Sequence, residues 1–257
     1  MLFLLSPAKS LDYDTAVPKT VPHTLPQFTT QSAQLIGLLK AYSPQKIADL
    51  MHLSDALSAL NVARYTAWSP KFSAKNAKQA ILAFNGDVYD GLAASTLGVD
   101  DLQWAQQHVA MLSGLYGVLR PLDYMQPYRL EMGTKLANPR GANLYQFWGT
   151  QIADYVNAQL AADKAPVVVN LASNEYFKSV DRKALKARVV ECVFEDYKSG
   201  DYKIISFFAK RARGLMARYA IDKRITSVKK LESFNSDGYA FAPTVSEPDR
   251  LVFRRKP

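Results

Sequence analysis

The sequence predicts a mixed α/β fold, one compact domain over residues 1–257 with a mixed sheet and flanking helices. Three observations predict it. Two short apolar runs, Leu2-Phe3-Leu4-Leu5 and Val167-Val168-Val169, suit strands buried on both faces. Between and after them, apolar residues recur at helical spacing. The composition, 48% hydrophobic and 21% charged over 257 residues, is globular and long enough to bury a core without staples. No internal repeat, low-complexity tract or Gly/Ser linker divides the chain.

Residues 1–5 are read as a short buried strand that enters the loop Ser6-Pro7-Ala8-Lys9-Ser10. Pro18, Pro22 and Pro26 keep the following stretch extended over the surface. Residues 30–41 carry Leu35, Leu38 and Leu39 at helical spacing. Ser43-Pro44 offers an N-cap and a proline at the first helical position for a helix through Ile47, Leu50 and Met51. After His52-Leu53, Ser54 and Asp55 cap another helix, which carries Leu57, Leu60 and Val62 to about Tyr65. Residues 76–84 begin helical and become strand-like before Asn85-Gly86-Asp87. Residues 100–112 read as a helix, 116–119 as a short strand, and Arg120-Pro121-Leu122-Asp123 as a loop. One amphipathic helix is expected over 143–161 and a doubly buried strand over 166–172, with Ser173-Asn174-Glu175 turning into a further helix. Strands at 188–196 and 202–208 pair through Lys198-Ser199-Gly200-Asp201. The second feeds a helix from Ala209 to about Asp222, giving a basic hairpin-plus-helix unit at 188–222.

Charge is unevenly distributed. Residues 1–177 hold 13 Lys+Arg and 13 Asp+Glu, whereas residues 178–257 hold 19 and 10, so the whole formal +9 lies in the C-terminal part. Such asymmetry fits a polyanionic partner, and it fits a solvated basic surface equally. On the helix from Ala209, Lys210, Arg211, Arg213 and Arg218 fall within an arc of about 160°, at about 100° per residue. Ala209, Ala212, Leu215, Met216 and Tyr219 take the other side, with Ile221 the exception inside the basic arc. A merely solvated face would interleave acids, and Asp222 arrives only at the end, so phosphate contact is favoured.

The helix pair at 44–65 has the proportions of a helix-hairpin-helix, whose backbone amides and helix N-terminus face DNA phosphates. Asn61 and Arg64 would extend that contact. An ordinary helical corner filling the core is the commoner reading of such a pair, and His52-Leu53-Ser54-Asp55 stands where hairpin glycines are usual. A second polar cluster gathers where predicted strands end. Lys9 follows the first strand, Asn170, Ser173 and Asn174 follow the buried one, and Arg120 and Lys178 approach them as an anion-binding cleft. Capping and turn formation explain Ser173 and Asn174 equally well.

Several chemistries lack their signatures. His23, His52 and His108 are scattered, and no zinc or di-iron spacing occurs, so no metal site is expected. The glycines form neither a Walker loop nor a dinucleotide fingerprint, and no Gly-x-Ser-x-Gly turn is present. No cofactor is expected, and binding is expected rather than catalysis. Cys192, the one cysteine, excludes an internal disulfide and alternates with Val190 and Phe194 as a buried, inert thiol beside the acids Glu191 and Glu195. The apolar start meets Ser6-Pro7 too soon for a signal peptide or a membrane span. A cytoplasmic, soluble monomer without a membrane partner is the expectation.

Taken together, several segments resemble the YaaA family of bacterial peroxide-stress proteins. They are Ser6-Pro7-Ala8-Lys9-Ser10-Leu11-Asp12-Tyr13, Ala83-Phe84-Asn85-Gly86-Asp87-Val88-Tyr89, the run from Leu112-Ser113-Gly114 to Arg120-Pro121-Leu122-Asp123, and Pro127-Tyr128-Arg129-Leu130-Glu131-Met132. Tyr145-Gln146-Phe147-Trp148-Gly149, Asn170-Leu171-Ala172-Ser173-Asn174-Glu175-Tyr176-Phe177 and Ala209-Lys210-Arg211-Ala212-Arg213-Gly214-Leu215-Met216 complete the likeness. The resemblance implies a cytoplasmic protein that limits oxidative damage from unincorporated iron. It also implies a fold of its own type with a helix-hairpin-helix and a positive cleft that binds DNA. The resulting expectation is a DNA-binding protein without sequence preference that grips the phosphate backbone through Lys210, Arg211, Arg213 and Arg218, helped by Asn61 and Arg64. The alternative is an enzyme acting on a nucleotide or on DNA, with Lys9, Arg120, Asn170, Ser173 and Lys178 lining its anion-binding cleft.

Overall fold

In the computed structural model, which describes residues 1–256, the run Leu2–Leu5 forms β1 at the centre of the main sheet. The other strands of that sheet are β2 (Val109–Ser113), β3 (Gly117–Leu119), β4 (Val167–Leu171), β5 (Arg188–Lys198), β6 (Asp201–Lys203), β7 (Ala240–Phe241) and β8 (Arg250–Arg255). Their order is β7-β8-β5-β4-β1-β2-β3, with β6 paired to β5. The five inner strands β8, β5, β4, β1 and β2 run parallel, whereas β3, β6 and β7 are antiparallel to their neighbours. The mixed α/β architecture expected from the sequence is therefore present. Leu4 stands opposite Ala110 on one side and Asn170 on the other, and all of β1 and β2 is buried. Burial on both faces explains why these strands lack alternation.

The helices that matter for the site are α1 (Thr29–Lys40), α2 (Pro44–Met51), α3 (Asp55–Ala67), α4 (Asp87–Leu92), α5 (Val99–His108), α6 (Leu144–Trp148), α7 (Gln151–Gln159) and α8 (Ser206–Asp222). Ser43 and Ser54 cap α2 and α3 as read from the sequence, accepting from the amides of Lys46 and Leu57. His52, at φ 54°, takes the left-handed conformation that ends α2.

The face that α3 presents is the reverse of the one its leucines suggest. Leu57 and Leu60 are 40% and 44% exposed, while Ser58, Asn61 and Tyr65 are fully buried. Ser58 and Asn61 donate to the carbonyls of Ser54 and Leu57 one turn back, while Asn61 Oδ1 is buried with no hydrogen-bond partner among the described residues. The Tyr65 hydroxyl donates to the Arg129 carbonyl and sets the rotation of the helix.

Four other expectations are corrected. The segment expected to be helical over 100–112 leaves the helix at His108, because Val109–Ser113 pairs with β1 as a buried strand. A short apolar run does not itself distinguish the two states. The helix expected over 143–161 is broken at Gly149, whose φ of +49° closes α6 before α7 begins. Over 76–84 the order is strand, helical turn, strand, since the amides of Ala80 and Ile81 donate to the carbonyls of Asp123 and Pro121. Finally β6 ends at Lys203 and α8 starts at Ser206, so Phe207 and Phe208 are helical.

Helix α8 lies against α4 with backbone touching backbone. A Cβ on Gly214 would stand 1.7 Å from the Val88 carbonyl oxygen, and one on Gly91 would stand 2.2 Å from that of Arg211. This crossing fixes where the basic helix sits. The buried side chains form one contiguous cluster running from the α1 leucines through the central strands to Phe194, Phe234 and Phe253.

Candidate functional site

From β1 the chain crosses to β2 on one side, and it later returns with β4 on the other side of β1. The loops that leave the carboxyl ends of β1 and β4 therefore part, and a crevice opens between them. Parallel sheets bind ligands at such switch points. Here the crevice measures about 460 Å³ and is lined by Ser6, Pro7, Ala8, Lys9 and Ser10 after β1 and by Ser173, Glu175 and Tyr176 after β4. Asn85, Gly86, Asp87 and Val88 enter at the start of α4, Glu131 from a loop, and Lys210 and Arg213 from α8.

The two strand ends are tied together at the floor. The Ser173 amide donates to Ser6 Oγ at 2.8 Å, the two serine hydroxyls are 3.3 Å apart, and Tyr89 donates to the Ser6 carbonyl at 3.0 Å. Each strand thus delivers a serine to the same point. Lys9 lies 2.9 Å from Glu131, which Arg129 also holds at 3.1 Å. Glu175 accepts the Gly133 amide at 2.9 Å, and burial pushes the Tyr176 phenol well up.

Arg213 differs from these. It is half-buried beside the crevice, and no hydrogen bond or ion pair among the described residues engages its guanidinium. Burial lowers its pKa below the ordinary value, with Glu191 acting in the opposite direction. Lys210, one turn earlier, is exposed and likewise unpaired among the described residues.

A second hollow of about 610 Å³ adjoins the crevice, sharing Glu131 and Glu175 and extending past Lys135 to His52 at the end of α2. The lining carries both signs of charge, Asp87, Glu131 and Glu175 with Lys9, Lys210 and Arg213. Among the described residues no group of three or more His, Cys, Asp or Glu side chains is placed to hold a metal ion.

The structure brings together Lys9 and Ser173 from one predicted cluster and Lys210 and Arg213 from the other. The remaining expected site residues stand elsewhere. Arg218 is engaged by Asp222 at 2.9 Å and donates to the Ala93 carbonyl at 3.1 Å, so it closes the end of α4. Arg211 turns toward Asp237, 3.9 Å away. Arg120 forms an ion pair with Asp123 at 2.8 Å and donates to the Leu25 carbonyl at 3.2 Å. Asn170 is buried within β4, its side chain accepting the Ala172 amide at 3.0 Å. Lys178 lies over the Tyr145 ring at 5.0 Å. Asn61 is enclosed by the core and out of reach of any ligand, and Arg64 is half-buried against Tyr13 and Tyr65. Arg218 and Arg120 are held by partners three or four residues away, whereas Arg211, Lys178 and Arg64 meet Asp237, Tyr145 and Tyr13, which only the fold brings near.

Ser6, Asp87, Glu131 and Glu175 were not foreseen. Ser6 had a usable signal, since it follows β1 as closely as Ser173 follows β4. The carboxylates had none locally. Every residue that lines the crevice nevertheless lies within the segments that carry the family resemblance. The family described as "Peroxide stress protein YaaA" matches this chain over residues 1–245. This chain belongs to the YaaA peroxide stress family. It is 69% identical over 257 residues to a UPF0246 protein of Albidiferax ferrireducens, covering 100% of this chain and 98% of the relative. A UPF0246 protein of a Polaromonas species is 68% identical over 256 residues (100% and 99% covered), and one of Bordetella petrii is 65% identical over 256 residues (100% of both).

In a peroxide stress family the single cysteine invites scrutiny. Cys192 is buried in β5, and burial, reinforced by Glu191, pushes its thiol up to about 12. Peroxide attacks the thiolate, so at neutral pH Cys192 offers almost none of the reactive form. No helix among the described residues is long and apolar enough to cross a membrane.

Proposed function

We propose that this chain serves the peroxide stress response by binding DNA through its phosphates, without reading base sequence. One observation carries the reading: half-buried Arg213 lines the crevice, and no hydrogen bond or ion pair among the described residues engages its guanidinium, Glu191 acting on it only from beyond ion-pair distance. A partly desolvated cation is costly unless an anion meets it, and guanidinium-to-phosphate hydrogen bonds are among the strong ones. Lys210, Lys9 and the serine floor add donors around the same space. The adjoining hollow leads toward His52, so the helix pair at 44–65 stands where a strand leaving the crevice would pass. Phe207, 55% exposed one turn before Lys210, offers a stacking surface beside the cations. In a peroxide stress family, such binding would serve to limit the damage that unincorporated iron does to DNA.

The reading is tested by fluorescence anisotropy of a labelled duplex over a series of salt concentrations. Two phosphate contacts, from the unengaged Lys210 and Arg213, correspond to a slope of log K on log[salt] of about −1.8. Unrelated sequences should bind alike. A flat salt dependence contradicts the mechanism.

A further inference from the structure

Resting on that reading of the crevice, we infer that it holds a single nucleotide bearing a terminal phosphate monoester, free or at the end of a strand, in preference to an internal diester of the backbone. The space is the first reason. About 460 Å³ is within the range of small-ligand sites, and it lies at the sheet's switch point.

The charge arrangement is the second reason. Lys210 and Arg213 stand one turn apart on α8, both without a hydrogen bond or ion pair to their charged ends among the described residues, although Glu191 acts on Arg213 from further off. Two adjacent cations suit a monoester, whose charge near neutral pH is about −1.5 to −2, better than a diester that carries one. The carboxylates of the lining make an internal stretch of backbone the weaker ligand. Asp87, Glu131 and Glu175 line the same crevice, and phosphates on either side of the bound one would meet their carboxylates. Those carboxylates accept hydrogen bonds, which base amino groups and sugar hydroxyls supply. The lining thus offers unpaired cations to a phosphate and carboxylates to a nucleoside.

The test uses the full chain and two kinds of probe. Calorimetry and thermal shift are measured with 2′-deoxyadenosine 5′-monophosphate and with 2′-deoxyadenosine. Anisotropy is measured with a single-stranded decanucleotide carrying a 5′ phosphate, a 3′ phosphate or neither. The proposal expects the monophosphate to bind and raise Tm while the nucleoside does neither, or a terminal phosphate to tighten oligonucleotide binding at least about tenfold. Binding of the monophosphate alone assigns the free nucleotide, and a gain from the terminal phosphate assigns the strand end. Either effect should be lost in Arg213→Gln and also in Lys210→Gln, whose exposed side chain leaves the fold intact. If no monophosphate binds and terminal phosphates add nothing, the proposal is overturned. Salt-dependent duplex binding would then survive by itself, whereas loss of duplex binding as well would remove the broader reading too.

Discussion

Arg213→Gln weakens DNA binding about tenfold or more at ~0.1 M salt and makes the log–log salt slope shallower by about 0.9, while Arg218→Gln changes affinity less than about twofold. The two arginines share one helix and one basic arc, so a wheel treats them as equivalent. The fold separates them. Arg213 lines the crevice with no hydrogen bond or ion pair to its guanidinium among the described residues, and its loss removes a contact that only the ligand completes. A hydrogen bond to a charged group contributes about 1.5–3 kcal/mol, and each 1.4 kcal/mol is about a factor of ten. Arg218 already spends its donors on Asp222, the Ala93 carbonyl and Thr96, so its removal loosens the end of α4 instead. Its signature is a lower Tm with nearly unchanged binding. Anisotropy and thermal denaturation on both variants separate the outcomes, and equal loss of affinity in the two would contradict the placement of the site.

Gly214→Ala is expected to destabilise the protein by about 1–3 kcal/mol, or more where the helices do not part, through overpacking at the α4–α8 crossing. The new Cβ would meet the Val88 carbonyl oxygen at 1.7 Å, and neither partner is a side chain that swings aside. For a chain of this length that is a fall in Tm of roughly 2–10 °C. The molecules that remain folded should also bind DNA more weakly, because α8 carries Lys210 and Arg213 to the crevice. Gly37→Ala is the matched control, since nothing lies within 4 Å of a Cβ there. In the interior of α1 that change should leave stability equal or raise it by up to about 1 kcal/mol. A Gly214→Ala protein as stable as its parent would mean that the crossing tolerates a wider spacing.

The strands β1 and β4 and the caps of α2 and α3 were legible in the sequence because their causes are local. A continuous apolar run implies burial on both faces, and a serine before a proline or an aspartate implies a helix start. The face of α3 was not legible. Asn61 is buried although only its amide nitrogen finds a partner, the Leu57 carbonyl, and Tyr65 finds its partner at Arg129, 64 residues away. The same limit applied to the site. Clustered cations pointed to α8, but the division between open and engaged ones depends on where Asp237 and the end of α4 come to lie. Asp222, four residues after Arg218, was in plain sight as its i,i+4 partner. Gly91 and Gly214 read locally as weak points in helices, and only the crossing gives them a purpose.

The most direct measurement follows the Arg213 side chain itself, through the 1H–15N signal of its Nε–H during titration with an unlabelled oligonucleotide. With the crevice as the grip, that signal shifts and saturates together with DNA binding, while the Arg218 signal stays where it was. A bound complex in which Arg213 is unmoved and the signals of Arg211 or the outer lysines shift instead would place the nucleic acid on another face and contradict the account.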